Sequence, residues 1–488
     1  MRHSTIVSIL AGLAWACAWV SGVAAVTAGE IAPITQLKPL YLDTALAVDG
    51  RARCAIVAPD DPAYRPLAQK LAQAVQQACG VAPPIRSPAE VVRNMPPREN
   101  LIALGLFANN PLVEDLYLRE FVLCDYAWPG GACSYVIRTV HNPWLNGQNV
   151  VYLGSASLAG CQAAVERFAQ RLGQSRHGSL GPIIEVSKDG QSPQAPEETD
   201  EKIAARTLAQ IEKAVSQDSA YKFAAHAANA YFLSGHPVWA RLFLASLRKI
   251  DQLHRSQPDV ASPSACQYIF QWFDCIEEGP AFSDQDRLEA TNLLYQFAAR
   301  LPEAQKDLKP LVRSAGNHGM ASAMAALYFS RYYPDLELSK RLLANARTFY
   351  EPDMKAWKPP EDSPRYANIT VVRSFRWALQ CPDRRYIDQG RLKRIADYYM
   401  LISNNLGQLS GIGDFVGLGH PCDLVESYPF AAWLYRDGRL LWWWDHFAKE
   451  PTALGSGFHR HRGQGLMGWV PPDVLPRKRP DDLLGIAL

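Results

Sequence analysis

Residues 187 to 200 read SKDGQSPQAPEETD, a stretch with no apolar side chain larger than alanine or proline. The spacing of apolar residues changes across it, and that change constrains the fold more than any other feature. Before it, short apolar runs alternate with amphipathic segments; after it, a period of 3.6 residues persists to about residue 450. A segment this polar cannot bury enough surface to join either side, so it reads as a linker.

Residues 36–186 are therefore expected to form a small α/β sandwich, one sheet covered by helices. CAIVAP (54–59), LIALGL (101–106), SYVIRT (134–139) and NVVYLG (149–154) read as strands. Leu67, Leu71, Val75 and Ala78 mark a helix stopped by Gly80, and Val165, Phe168 and Leu172 one stopped by Gly173. From 201 to 470 helical stripes follow one another: Leu208, Ile211 and Val215; Met320, Met324 and Leu327; Leu342 and Phe349; Leu392, Ile395, Tyr399 and Ile402. Ser283 with Asp286 predicts a capping box, with Phe282 as its hydrophobic staple. About ten helices fit. No period of 34 or 40 residues repeats, so hairpins arranged in a ring suit the pattern better than a solenoid. The expected fold is multidomain, α/β followed by an (α/α) toroid of helical hairpins, with a short tail at 471–488.

Residues 1–28 read as an export signal: Arg2 and His3, an apolar run from Ile6 to Val20, and Val26-Thr27-Ala28 as a cleavage site. No later stretch has the roughly 18 apolar residues of a membrane span. A periplasmic or secreted protein follows. Net charge is +2, which gives no nucleic-acid footprint. The ten cysteines are scattered and show no short zinc-type spacing, so neither a metal nor a cofactor is expected, and most should be buried as small apolar residues.

Three polar stretches sit at helix ends or between helices. AGNHGM (315–320) carries Asn317 and His318. EDSPRY (361–366) carries Glu361, Asp362, Arg365 and Tyr366, and GIGDFVGLGH (411–420) carries Asp414 and His420. Taken singly, each has an ordinary explanation: asparagine is a favoured helix cap, Glu-Asp-Ser-Pro is helix-start chemistry, and four glycines suit a loop.

Taken together, an Asn-His pair on a toroid helix with a tyrosine some fifty residues later resembles polysaccharide lyases of the alginate-lyase and heparinase II/III-like group. The N-terminal part, through NVVYLGSASLAGCQAAVERFAQRLG, is similar to the α/β domain preceding the catalytic domain of family-20 hexosaminidases and α-glucuronidases. The resemblance implies β-elimination on a uronic-acid-containing polysaccharide. Asn317 would neutralise the substrate carboxylate, His318 would share that role or act as base, and Tyr366 would move the protons. Arg313, Arg365 or Arg373 would supply the cation that lets a phenol ionise. In this family a β-sandwich usually follows the toroid. Here the chain reaches Leu488 without one, so His420 or His459 is expected to replace its catalytic group, with Asp414, Glu361, Asp362 and Trp357 contacting substrate.

Two other readings stay open. A toroid hydrolase acting on uronyl oligosaccharides would draw on Asp362, Asp414 and Asp445. A non-catalytic carbohydrate-binding protein would use Trp357, Trp433 and the 442–444 tryptophans as stacking platforms.

Overall fold

The computed structural model describes residues 32–173, 178–189, 198–256, 263–304, 317–355, 364–381, 384–403, 427–447 and 470–480. The first part is built on a six-stranded mixed sheet: β1 (Cys54–Val57), β2 (Ile85–Arg86), β3 (Asn100–Gly105), β4 (Tyr135–Val140), β5 (Val150–Gly154) and β6 (Ile184–Ser187). The spatial order is β6-β4-β5-β3-β1-β2; β2, β1, β3 and β5 run parallel, while β4 is antiparallel to both its neighbours. All four strands that read as apolar runs are present, and every residue of β1, β3, β4 and β5 is buried. Burial on both faces is what a continuous apolar run signals in a parallel sheet.

The two faces are covered differently. Cys54, Ile56, Ile102, Leu104, Val151 and Leu153 pack under α1 (Arg65–Cys79) and α4 (Leu158–Leu172). α1 ends as expected, on Gly80 in the left-handed region at φ 79°, where only glycine is unstrained. α4 also ends at its glycine, but Gly173 stays right-handed at φ −62°. Between these helices in sequence lie α2 (Pro88–Arg93) and α3 (Pro111–Leu118). The alternate residues Ala55, Val57, Leu101, Ala103, Val136 and Tyr152 point the other way. They share a core with α3 and with helices that begin at residue 364 and beyond.

The rest of the described chain is helical. In order it comprises α5 (Glu198–Glu212), α6 (Gln217–Ser234), α7 (Pro237–Ser256), α8 (Pro263–Ile276), α9 (Asp284–Ala299), α10 (Asn317–Tyr332) and α11 (Glu337–Lys355). These are followed by α12 (Pro364–Gln380), α13 (Arg385–Asp388), α14 (Arg391–Leu401), α15 (Ser427–Tyr435) and α16 (Gly438–Phe447). Side-chain contacts fix their directions. Phe270 meets Phe329, Phe273 meets Tyr332 and Asp274 meets Arg331, so α8 and α10 run parallel. Tyr231 and Phe232, near the end of α6, meet Phe282 just before α9 and Trp272 near the end of α8. Arg248 pairs with Glu289 and His254 with Phe297, so α7 and α9 are parallel to each other. The two sets oppose one another: Thr291 bonds Tyr332, and Tyr295 stacks on Phe329. α6, α8, α10 and α12 thus form one row, with α7, α9 and α11 packed against it in the reverse sense.

Two details of the helical half differ from the periodicity. Leu208 and Val215 are exposed, and α5 buries Ala204, Thr207 and Ile211 instead. The true stripe contains a threonine and an alanine, which an apolar count passes over. The Ser283–Asp286 capping box is complete in both directions, but position N4 of α9 is Arg287, so Phe282 has no staple partner there. It packs instead on Tyr231, Phe243 and Phe273. All eight described cysteines are free thiols, and Cys133 alone among them is exposed. No helix among the described residues is long and apolar enough to cross a membrane.

Candidate functional site

Asn317 is the first residue of α10 and His318 the second; Arg365 and Tyr366 are the second and third residues of α12. For these four the backbone is described and the side chains are not. Arg313, Trp357, Glu361, Asp362, Asp414, His420 and His459 lie outside the described residues, as does most of the polar linker.

The two helix starts are related by a measurable register. Tyr350 on α11 lies 3.6 Å from the Met324 sulfur and donates to the Arg373 carbonyl at 2.7 Å. Tyr328 and Arg376 meet on one carboxylate, and the Arg331 guanidinium donates to Gln380 at 2.5 Å. Met324 with Arg373, Tyr328 with Arg376 and Arg331 with Gln380 are each 48 or 49 residues apart and in rising order. α10 and α12 are therefore parallel neighbours at a nearly constant offset. Asn317 and Tyr366 are 49 residues apart, so their backbones stand at the same level in the first turns. Arg373 stands two turns below Tyr366, roughly 10 Å along the axis at 1.5 Å per residue.

Parallel helices align their dipoles. The starts of α6, α8, α10 and α12 share one edge, where the partial positive charge of helix N-termini favours an anion. The opposite edge collects the carbonyl ends, and there the chain supplies cations. Arg138 of β4 donates to the Phe232 carbonyl at the end of α6, with its guanidinium 3.5 Å from the Phe232 ring centroid. Burial lowers this arginine to about 10. Arg287 donates to the carbonyls of Glu277 and Gly279, at 2.9 and 3.2 Å, beyond the end of α8. Lys38 donates to the last carbonyl of α10, Tyr332, at 2.6 Å and pairs with Glu277 at 2.9 Å. Burial works against the charge of Lys38, but Glu277, Asp274 and Glu278 together outweigh it and hold the amine above its ordinary value. Burial raises Glu277 and Glu278 to about 7.

One residue at this closed edge gave no signal in the sequence. α3 ends without glycine: the Phe121 N–H bonds the Leu116 carbonyl at 2.9 Å and the Glu120 N–H bonds the Tyr117 carbonyl at 3.0 Å. That is a Schellman ending, and its left-handed position is held by Glu120 at φ 67°. A side chain there costs about 1–2 kcal/mol relative to a right-handed conformation. Strain of this kind persists only where the surroundings over-determine it. The Glu120 carboxylate is 2% exposed. It accepts from Tyr328 of α10 and, at 3.1 Å, from Gln380 of α12, and lies 3.1 Å from the Arg376 guanidinium. Its carbonyl accepts from the Cys275 thiol of α8 at 3.5 Å. Beside it, the Arg119 carbonyl accepts from Arg331. One short segment of the α/β part thus touches three parallel helices.

The α/β part offers little room of its own. The crevice beyond the carboxyl ends of β1 and β3, where sheets of this kind usually hold ligands, is filled. Asn110 donates to the carbonyls of Val57 and Leu104, and Asn109 closes on Tyr64 and the Leu106 N–H. A cavity of about 300 Å³ lies to one side, lined by Pro59, Asp60, Asp61, Arg65, Ile85 and Arg86. The tryptophans of the binding alternative are mostly core: Trp433 is 1% exposed with its indole N–H on Glu114 at 2.8 Å, and Trp443 is also buried. Asp445 is paired with Arg477 at 2.7 Å. No group of residues among those described could hold a metal ion. No family model matches the chain, and no curated protein matches it.

Proposed function

We propose that this chain is an exported polysaccharide lyase whose helical rows close into an (α/α) toroid over residues 201–470, with the cleft at the edge where the parallel helices begin. The observation that carries the reading is the common level of Asn317 and Tyr366 on parallel neighbours. An amide or imidazole and a phenol on adjacent first turns can address one sugar ring from one side. Their helix ends add partial positive charge where a uronate carboxylate would sit, at about 0.3–1 kcal/mol per helix.

In this mechanism Asn317 and His318 hydrogen-bond the substrate carboxylate and take up the charge that builds as the neighbouring carbon loses its proton. Tyr366, ionised by the charge of Arg313, Arg365 or Arg373, removes that proton. The electron pair forms the new double bond and expels the 4-linked oxygen, which leaves with a proton from Tyr366 or His420. Every atom is accounted for without water or a cofactor.

The test is a panel of uronate polysaccharides incubated with the wild-type chain and followed by the ultraviolet absorbance of the unsaturated product. Absorbance growth on at least one polymer supports the reading. Binding of a uronan without any unsaturated product makes the chain a binding relative and ends the lyase assignment.

A further inference from the structure

We infer that Glu120 is a register clamp: the α/β part reaches across with this one carboxylate to hold α10 and α12 at a fixed axial offset, and so positions the helix starts at the far edge. Several observations meet here. Glu120 occupies a left-handed position that the local Schellman ending would normally give to glycine, so the side chain is kept for something other than the turn. Its carboxylate joins Tyr328 of α10 to Arg376 and Gln380 of α12, the same two helices whose first residues include Asn317 and Tyr366. The bond between Arg331 and Gln380, and that from Arg331 to the Arg119 carbonyl, lie on the same level and resist the same slip. A buried carboxylate shared by two helices has one low-energy arrangement, since sliding either helix by a residue strands a guanidinium or a phenol in an apolar core.

Glu120 is a positioning residue in this account, not a catalytic one, and it rests on the lyase reading only for what the clamp serves. It makes the α/β part a component of the site's geometry and not a detachable sugar-binding module.

Glu120→Gly isolates the side chain, because glycine keeps the left-handed backbone and the turn. The double variant Glu120→Gly with Arg376→Met also removes the stranded guanidinium, so a folded protein is available for comparison if the single variant unfolds. Amide hydrogen exchange is read in the second turns of α10 and α12, residues 321–324 and 368–371, with α6 and α7 as internal references. The clamp requires at least tenfold faster exchange in those two turns in both variants. It also requires a fall in kcat on the active uronan with KM little changed, and partial rescue of both by Glu120→Gln. Faster exchange confined to residues 116–125 would mean that Glu120 only caps its own helix, and would overturn the inference. A wild-type chain inert on every uronan removes the lyase reading, while the exchange pattern still decides the clamp. Full activity with unchanged exchange in the glycine variant removes the clamp and leaves the lyase standing.

Discussion

Lys38 and Glu277 are joined at 2.9 Å under the carbonyl end of α10, so a segment that precedes the first strand is bolted to the helical half. Ile34 adds a second fastening, exchanging backbone hydrogen bonds with the Asn292 side chain at 2.8 and 2.9 Å. Breaking one partner of a buried pair leaves the other charge uncompensated, at about 3–5 kcal/mol. Lys38→Met is expected to lower stability by that order in denaturant titrations. Adding Glu277→Gln should recover most of the loss. Equal destabilisation in the single and double variants would show that lysine packing, not charge, is what matters.

Three buried glutamates contribute stability that is lost as pH rises through the mildly acidic range. Burial lifts Glu277, Glu278 and Glu303 from the ordinary 4.5 to about 7. The folded state therefore holds more protons than the unfolded chain between those values. The contribution is whole below about 4.5 and is lost as pH climbs through 7. Asp286, which the Ser283 hydroxyl holds below 3.8, acts in the opposite sense at lower pH, and His141 and His254, which burial lowers from 6.5 to about 4 and about 3, oppose the glutamates within the same window. Glu303 accepts from Ser322, and its other oxygen has no hydrogen-bond partner among the described residues. The melting temperature of the wild type should fall relative to that of Glu303→Gln between pH 5 and pH 8. A wild type that gains on the variant across this window would contradict the assignment.

Tyr366→Phe should reduce uronan cleavage by about 10²–10⁴-fold, the range supplied by a positioned proton-transfer group. Asn317→Ala should abolish it while costing no more than about 1 kcal/mol of stability, the worth of a helix-start side chain. A parallel loss of melting temperature and activity in either variant would make these residues structural.

Trp433→Phe should lower the melting temperature and leave uronan affinity untouched. The indole is buried, meets Phe107 edge-on and spends its N–H on Glu114. Truncations of a buried tryptophan to alanine cost about 3–5 kcal/mol, and the phenylalanine change should cost less. Weaker binding of a uronan without a stability change would restore the stacking-platform view of this residue.

The strands were legible because β1, β3, β4 and β5 are buried on both faces, which leaves short runs rich in Val, Ile, Leu and Ala, interrupted in β4 by Arg138 and Thr139. Gly80 and the Ser283 box were legible because capping is local chemistry. The reverse holds for Glu120. LYLREF, residues 116–121, contains no glycine or proline, and nothing in it says that a glutamate will turn left-handed. Its reason lies with Tyr328, Arg376 and Gln380, more than 200 residues away. The offset between α10 and α12 is likewise set by contacts across helices. Sequence could supply the 49-residue separation of Asn317 and Tyr366, but not the parallel direction that makes it meaningful.

The divided covering of the sheet bears on how such a chain is made. Ala55, Val57, Leu101, Ala103 and Tyr152 belong to strands that emerge early in synthesis, yet part of their cover is Phe375, Tyr399, Phe430 and Trp433. At about 5–20 residues per second, translation leaves that apolar face open for tens of seconds. A nascent α/β part is thus a sticky half-core awaiting its own carboxy-terminal helices, and it invites either a holding chaperone or delayed collapse of the whole chain. Shortened chains lacking α12 to α16 would carry that open face permanently, and aggregation would be their natural fate.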